Sequence, residues 1–272
     1  MTRRVLAGRH AVVTGGSRGI GLAIANALVD SGANVTLMAR DAARLDTAIA
    51  SLRLRHAAAD GSQAQSFAAA VVDVADESSV NAAFAATRAA NGPIDILINN
   101  AGVAESAPFT KTSADQFQRL LDINLRGVWL CTQAFATELP PSLRADDAWR
   151  HVVNVASTAA LKGYAYVAAY CAAKHGVLGL TRALAHEWAR RRVAVNAVCP
   201  GYTDTDIVAA AVANITAKTG RDAATARAEL ARSNPQAQLV TPEQVANAVL
   251  WLVSPGAESI NGQAISVSGG EI

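Results

Sequence analysis

The chain has 272 residues, of which 51% are hydrophobic, enough to bury the core of one folded domain. Its formal net charge of +2 is small and spread along the sequence, which argues against a nucleic-acid-binding surface. The three cysteines lie in apolar runs, and we find neither a signal peptide nor a run of about 18 apolar residues. We therefore expect a single domain over residues 1–272, cytoplasmic, with no disulfides, metal site, nucleic-acid partner or membrane partner.

Short apolar strands alternate with helix-like stretches along the chain. The expected strands are residues 10–15, 34–39, 67–74, 94–100, 151–157, 193–200 and 264–269. The expected helices are residues 21–31, 42–56, 77–91, 114–139, 167–191 and 242–253. The strands contain too few polar residues to have one face in water, so helices should cover both faces. This alternation predicts an α/β fold with a doubly wound parallel sheet.

The first strand leads through a glycine-rich turn, "VVTGGSRGIG", into a helix. Gly15 and Gly16 form the turn, and Gly19 and Gly21 begin the helix. Such a turn brings backbone N–H groups and a helix N-terminus to one spot, which favours an anion such as a pyrophosphate. The spacing differs from the general G-x-G-x-x-G fingerprint, so the glycines alone also allow a purely structural turn.

Tyr170 and Lys174 are four residues apart on a predicted helix, so both project from one face. A neighbouring ammonium should lower the pKa of the phenol and suit it to proton transfer. Ser157 ends the fifth strand, where its hydroxyl can hydrogen-bond a substrate oxygen. Taken singly, the three residues also fit ordinary roles as a packed ring, a solvated charge and a turn residue.

Residues 202–240 interrupt the alternation of strands and helices. We expect them to be helical in pieces and to form a lid beyond the carboxyl ends of the strands, where open α/β sheets bind ligands. The basic residues in this segment include Lys218, Arg221, Arg227 and Arg232. They either meet the phosphates or acidic carrier of an acyl thioester or form a solvated basic helix face.

Four stretches resemble, in order and spacing, signatures of the short-chain dehydrogenase/reductase family. They are "NNAG" from residue 99, "VNVAS" ending at Ser157, "YCAAK" from Tyr170 and "CPGYTDT" from Cys199. The resemblance covers the chain from the glycine turn to "SVSGG" and is nearest in character to the 3-oxoacyl-thioester reductases. It implies a Rossmann-type sheet of seven parallel strands and a nicotinamide cofactor.

The resemblance also implies roles for individual residues. Tyr170 would exchange a proton with the substrate oxygen, Lys174 would also bind the nicotinamide ribose, and Ser157 would orient the substrate. Asn124 matches a helix asparagine that supports a proton relay through water. The implied cofactor-binding residues are Gly15, Ser17, Arg18, Gly19, Ile20, Arg40, Asp73, Val74, Asn99, Asn100, Ala101, Gly102, Tyr170, Lys174, Pro200, Gly201, Thr203 and Thr205.

Two arginines favour NADP(H) over NAD(H). Ala39 stands where an acidic residue would bind the adenosine ribose of NAD, and Arg40 follows it. Arg40 and Arg18 can bind a 2′-phosphate from two sides, although both residues also fit as plain surface charges.

The sequence therefore predicts an NADP(H)-dependent oxidoreductase that interconverts a ketone and a secondary alcohol. Its expected substrate is a 3-oxoacyl thioester on coenzyme A or a carrier protein. The alternatives are a dehydrogenase of a cyclic, steroid-like or aromatic-catabolic alcohol and a non-catalytic NADP(H)-sensing module. Surplus apolar surface on residues 114–139 and 167–191 predicts a homodimer or homotetramer through these helices, unless the lid covers that surface.

Overall fold

The computed structural model describes residues 4–56, 65–139 and 148–272. Within these residues, as predicted, seven parallel strands form one sheet, and their order is β3-β2-β1-β4-β5-β6-β7. The strands are β1 (His10–Thr14), β2 (Asn34–Ala39), β3 (Phe67–Val71), β4 (Ile96–Asn99), β5 (Arg150–Val155), β6 (Val193–Pro200) and β7 (Ala264–Val267). The strand order reverses between β1 and β4. Open α/β sheets bind ligands in the crevice beyond the carboxyl ends of the strands at such a point.

Helices pack on both faces of the sheet. They are α1 (Gly19–Asp30), α2 (Ala42–Arg55), α3 (Glu77–Asn91), α4 (Ala114–Leu121), α5 (Gly127–Ala136), α6 (Ala168–Trp188), α7 (Asp206–Thr219), α8 (Ala223–Ala231) and α9 (Pro242–Val253). One apolar cluster joins α1, α2 and α9 to one face, and a second joins α3, α5 and the end of α6 to the other.

The alternation of side chains along each strand supplies both clusters. In β1, Val13 lies in the first cluster and Val12 in the second, and in β4 Ile98 and Leu97 divide in the same way. Each such fully buried side chain contributes roughly 1.5–3 kcal/mol. The apolar runs of the sequence therefore form strands because both of their faces are covered.

The structure differs from the sequence-based expectation at two places. The helix expected over residues 114–139 is divided by a π-helical turn, Asp122–Arg126, between α4 and α5. At the edge strand β3, Val71 is 58% exposed, so the prediction that both faces are covered is wrong there. An edge strand has one neighbour, and the helices on the two faces do not extend fully over it.

Residues 202–240 leave the sheet and return to it at one place. They contain α7 and α8, so this segment is helical in pieces. The Val240 N–H donates to the Tyr202 carbonyl, and the Asp204 N–H donates to the Val240 carbonyl, both at 2.9 Å. The two ends of the segment 202–240 are therefore joined by backbone hydrogen bonds. No helix in the described parts of the chain is long and apolar enough to cross a membrane.

Candidate active site

The glycine turn is built by close backbone approach. Gly15 has a φ of 63°, which favours glycine. A Cβ on Gly21 would lie 2.3 Å from the Gly15 carbonyl oxygen and 2.5 Å from Asn100 Nδ2. Asn100 Nδ2 donates to the carbonyl oxygens of Thr14, at 3.0 Å, and Gly15, at 3.1 Å. A side chain at these glycines would fill the space that keeps the turn narrow.

The turn also presents an uncapped helix N-terminus. Arg18 precedes α1 with no side-chain cap, and the first turn of α1 contains no acidic residue. The N–H groups and dipole of α1 are therefore available to an anion. Thr205, directly before α7, lies close by, since a Cβ on Gly19 would lie 3.4 Å from Thr205 Cγ2. Gly15, Gly19 and Thr205 thus border a cradle whose shape and polarity suit a pyrophosphate.

Thr14 ties this turn to the neighbouring strand, a role that the sequence analysis missed. Its Oγ1 accepts hydrogen bonds from the N–H groups of Asn100, at 3.0 Å, and Ala101, at 3.1 Å. The sequence signal that could have indicated this role is a polar residue, Thr14, at the end of an apolar strand directly before a glycine.

The side chain of Asn99 does not lie where it was predicted, along the cofactor. Its side chain is buried, and Nδ2 donates to Thr132 Oγ1 at 2.9 Å and Asn154 Oδ1 at 2.8 Å. Asn99 therefore faces the interior between β4, β5 and α5, whereas Asn100 faces the glycine turn.

The structure brings together Ser157, Tyr170 and Lys174. Helix α6 carries the last two, and Lys174 Nζ lies 5.6 Å from the centre of the Tyr170 ring. The Ser157 side chain lies near enough to Tyr170 to oppose the rise in the pKa of its hydroxyl, and Ser157 Oγ accepts from the Ala159 N–H at 3.1 Å. Lys174 Nζ donates to the Val155 carbonyl at 2.9 Å, so the end of β5 fixes the ammonium behind the tyrosine.

Burial dominates the protonation of this cluster. It raises the pKa of Tyr170 to about 12, although the hydrogen bond from Ser157 opposes the shift. It lowers the pKa of Lys174 to about 8, because the charged ammonium is deprived of water. Burial of the phenol decides its pKa here and Lys174 is not among the groups that shift it, so the expected lowering by Lys174 is not found in this structure. At neutral pH the Tyr170 phenol therefore carries its proton.

Asn124 lies on the π-helical turn between α4 and α5, a distortion common at functional sites. Its Oδ1 accepts from the Val103 N–H at 3.1 Å, and Nδ2 donates to the carbonyls of Val103 and Leu120 at 3.0 Å. A Cβ on Gly102 would lie 2.8 Å from Asn124 Oδ1 and 3.7 Å from Lys174 Nζ. Asn124 and Lys174 therefore flank Gly102.

The two arginines expected at a 2′-phosphate have different surroundings. Arg18 forms an exposed ion pair with Asp206 of α7 at 2.5 Å. Arg40 has no ion-pair partner within the described residues and lines, with Asp73, a cleft of about 370 Å³. Arg40 is thus free to bind an anion, whereas Arg18 must exchange a partner to do so.

Of the other residues assigned to the cofactor, Ile20 lies in α1 and Pro200 ends β6, while Asp73, Val74, Gly201 and Thr203 lie on short loops that follow strands. Asp73 Oδ1 accepts from the Ala75 N–H at 3.0 Å, and Val74 packs against Gly127 of α5. After Pro200 ends β6, Thr203 Oγ1 donates to the Gly201 carbonyl at 3.0 Å. Thr205 Oγ1 donates to the Thr203 carbonyl at 3.2 Å. These contacts hold the β6 loop above the same sheet edge.

Known proteins share both the sequence pattern and the fold of this chain. Residues 9–216 match the family model described as short chain dehydrogenase. A putative ketoacyl reductase of Streptomyces coelicolor is 34% identical over 96% of this chain and 95% of its own length. A 3alpha-hydroxysteroid dehydrogenase of Mediterraneibacter gnavus is 31% identical over 97% of both chains. A crystal structure of a variant of actinorhodin polyketide ketoreductase with NADPH superimposes with a TM-score of 0.88 at 30% identity, covering 100% of this chain and 99% of that one.

Proposed function

The chain belongs to the short-chain dehydrogenase family, and we propose that it is an NADP(H)-dependent reductase of 3-oxoacyl thioesters. As a family member it is an oxidoreductase that acts on a carbonyl or alcohol group with a nicotinamide cofactor. The observation that carries the proposal is that Ser157, Tyr170 and Lys174 lie together, with Lys174 Nζ 5.6 Å from the centre of the Tyr170 ring and bonded to the Val155 carbonyl at the end of β5.

Ser157 and Tyr170 together can bind and protonate a substrate oxygen. When bound, the cofactor supplies or accepts the hydride. A carbonyl oxygen beside both hydroxyls would accept hydrogen bonds from Ser157 and Tyr170. As negative charge develops on that oxygen, Tyr170 donates its proton, which burial holds on the phenol until then.

Lys174 and Asn124 would restore the proton. The pKa of Lys174, lowered to about 8 by burial, allows its Nζ to gain and lose a proton near neutral pH. Asn124 is fixed by backbone partners on both sides of its amide, so it can hold a water chain towards Lys174 past Gly102. Lys174 would also bind the hydroxyls of the nicotinamide ribose.

The preference for NADP(H) rests on Arg40 and on Ala39. Arg40 has no competing carboxylate partner within the described residues, and Ala39 provides no acid for an unphosphorylated ribose. Gly15, Gly19 and the N-terminus of α1 would hold the pyrophosphate. The neighbouring ketoreductase structure, which contains NADPH, supports the same preference.

The test is NADPH consumption with acetoacetyl-CoA, acetoacetyl carrier protein, cyclic ketones and aldehydes. We expect the highest kcat/KM with a thioester and a lower value with NADH as the reductant. Similarity to the 3alpha-hydroxysteroid dehydrogenase favours a second candidate, reduction of a cyclic ketone. Cofactor binding without turnover of any substrate would instead support a sensing module, and a preference for NADH would refute the NADP(H) assignment.

We also propose that copies of the chain associate through α4, α5 and α6. Trp129 is 45% exposed and lines an apolar groove of about 310 Å³ with Leu125 and Leu180. Exposed apolar surface of this kind favours an interface. Light scattering after size-exclusion chromatography should give a dimer or tetramer, and Trp129→Glu should shift it towards the monomer.

A further inference from the structure

A carboxylate is already bound to the arginine of the glycine turn. Arg18 Nη1 donates to Asp206 Oδ2 at 2.5 Å, and Asp206 lies in the first turn of α7. The two side chains are 57% and 69% exposed. Ion pairs in water are weak and are screened by salt, so another anion can replace this carboxylate. Asp206 is therefore a competitor, built into the chain, for any phosphate that binds Arg18.

The helices of residues 202–240, which include Asp206, pack on each other. They share a small apolar cluster that is separate from the clusters on the two faces of the sheet, and its buried members are Val208, Ala231 and Leu239. Arg227 of α8 also pairs with Asp204, two residues before Asp206, at 2.5 Å. A change at the first turn of α7 therefore reaches both helices.

Asp206 can leave Arg18 at little cost. It is the acidic residue in the first turn of α7, and Thr205 before it caps the helix with no side-chain hydrogen bond. A carboxylate at this end of a helix is stabilised by the helix dipole. Because Asp206 is also exposed to water, it keeps favourable surroundings when Arg18 turns to another anion. The pair is therefore suited to exchange.

The position of Arg18 makes a phosphate on the adenosine ribose the anion that fits. The Gly16 N–H donates to the Met38 carbonyl at 3.3 Å, so the glycine turn lies beside the end of β2, which Arg40 follows. A guanidinium binds phosphate through paired donors, and in the described part of the chain Arg40 has no ion-pair partner. Of the two arginines, Arg18 is the one whose availability depends on Asp206.

We propose that Asp206 is a specificity-determining residue of the proposed reductase, because it competes with the 2′-phosphate of NADP(H) for Arg18. When the phosphate binds Arg18, the first turn of α7 loses its ion pair to the glycine turn. Binding of the 2′-phosphate and the attachment of α7 and α8 are therefore coupled, and each weakens the other by the same factor. An unphosphorylated ribose leaves Arg18 on Asp206. This inference rests on the proposed function, since it needs a phosphorylated cofactor.

The first measurement needs no turnover and compares two ligands that differ by the 2′-phosphate alone, 2′,5′-ADP and 5′-AMP. In isothermal titration calorimetry at low salt, Asp206→Asn should bind 2′,5′-ADP about fivefold more tightly than wild type, because Arg18 no longer has to leave a carboxylate. Its affinity for 5′-AMP should stay within about twofold of wild type, and the gain for 2′,5′-ADP should shrink in 1 M salt.

Glu229→Gln is the matched control for Asp206→Asn. It also removes one negative charge from residues 202–240 and breaks an exposed ion pair, that of Glu229 with Arg221, but it does not touch Arg18. Its affinities for both ligands should equal those of wild type. An equal gain in the two variants would show a general effect of charge and would overturn the inference.

Hydrogen exchange measured by mass spectrometry tests the coupling to α7. In wild type, 2′,5′-ADP should speed exchange in the first turns of α7 relative to 5′-AMP. Asp206→Asn should already exchange faster without ligand and show no further increase with 2′,5′-ADP.

The outcomes separate this inference from the proposed function. If wild type prefers NADH in turnover but Asp206→Asn gains affinity for 2′,5′-ADP, the competition stands and the proposed NADP(H) assignment fails. Equal affinities of wild type and Asp206→Asn for 2′,5′-ADP would overturn the inference, even if NADPH is the preferred reductant. The same exchange in α7 with both ligands would refute the coupling.

Discussion

Helix α6 and the helices α7 and α8 of the proposed lid are anchored very differently. The buried residues of α6 are Ala169, Cys171, Ala173, Lys174, Val177, Leu178, Thr181, Ala185 and Trp188. By contrast, α7 buries Val208, and α8 buries Ala226 and Ala231. Helices with few buried contacts open at lower free energy than packed ones. We therefore place the proposed chemistry on the well-packed helix α6 and propose that the lightly held α7 and α8 take part in substrate selection.

The largest effect should come from removing the acid on the rigid helix. Tyr170→Phe should bind NADPH and melt as wild type does, because it loses one hydroxyl, while kcat falls by roughly 10² to 10⁴. Turnover with acetoacetyl-CoA measures the loss, and Tyr166→Phe serves as the control. Near-wild-type turnover in Tyr170→Phe would show that Tyr170 is not the proton donor. It would also remove the reason for placing the chemistry on α6.

Lys174 should give a stability effect that depends on pH. Its pKa is lowered by burial from 10.5 to about 8, so between these pH values the unfolded chain holds a proton that the folded chain has lost. Wild-type stability contributed by this residue should therefore rise across that window, by up to roughly 3 kcal/mol. Urea titrations of wild type and Lys174→Met at several pH values measure the difference. Parallel curves for the two proteins would show that Lys174 has an ordinary pKa.

The next prediction concerns the loop that follows β2 and begins with Arg40. Like much of residues 202–240 this loop is exposed, but we propose that it binds the cofactor rather than the substrate. Ala39→Asp with Arg40→Ala should lower the ratio of kcat/KM for NADPH over NADH by roughly 10²-fold, because it adds a ribose acceptor and removes a phosphate ligand. Arg44→Ala is the control, since Arg44 pairs with Asp41 nearby at 3.2 Å. An unchanged ratio in the double variant would show that Arg40 does not bind the 2′-phosphate, which would then belong to Arg18 or another residue.

The smallest effect should come from the lid charges. Arg221 pairs with Glu229, and Arg227 pairs with Asp204 at 2.5 Å, so both arginines already have partners. Arg221→Glu with Arg227→Glu should raise KM for acetoacetyl-CoA about threefold at low salt and leave KM for cyclohexanone unchanged. Steady-state kinetics with both substrates at two salt concentrations distinguish charges that bind the thioester from charges that only stabilise residues 202–240. Equal increases for both substrates would mean that these charges stabilise the lid rather than meet a phosphate.

Much of the fold was predictable because its signals are local. Apolar runs such as 10–15 and 193–200 have the length of strands, and the glycine turn and the four-residue spacing of Tyr170 and Lys174 need no distant information. The π-helical turn at Asp122–Arg126 was not predictable, since its apolar pattern continues that of the flanking helices.

The parts of the site that the sequence did not reveal depend on contacts between distant residues. Arg18 and Asp206 are 188 positions apart. The pKa of Tyr170 was mispredicted for a related reason, because desolvation depends on the whole surrounding structure and not on a neighbour four residues away.

The hydrogen bonds that join Tyr202 and Asp204 to Val240 have an evolutionary consequence. Because the chain departs at Tyr202 and returns at Val240, the stretch with α7 and α8 between them forms a cassette that a gene can lengthen, shorten or exchange while Thr203 and Thr205, the register of β6 and the start of α9 stay in place. The entropy of closing such a loop grows slowly with its length, so each exchange costs little stability. A scaffold with one fixed reaction centre and one exchangeable cassette can acquire new substrates by recombination at two neighbouring positions.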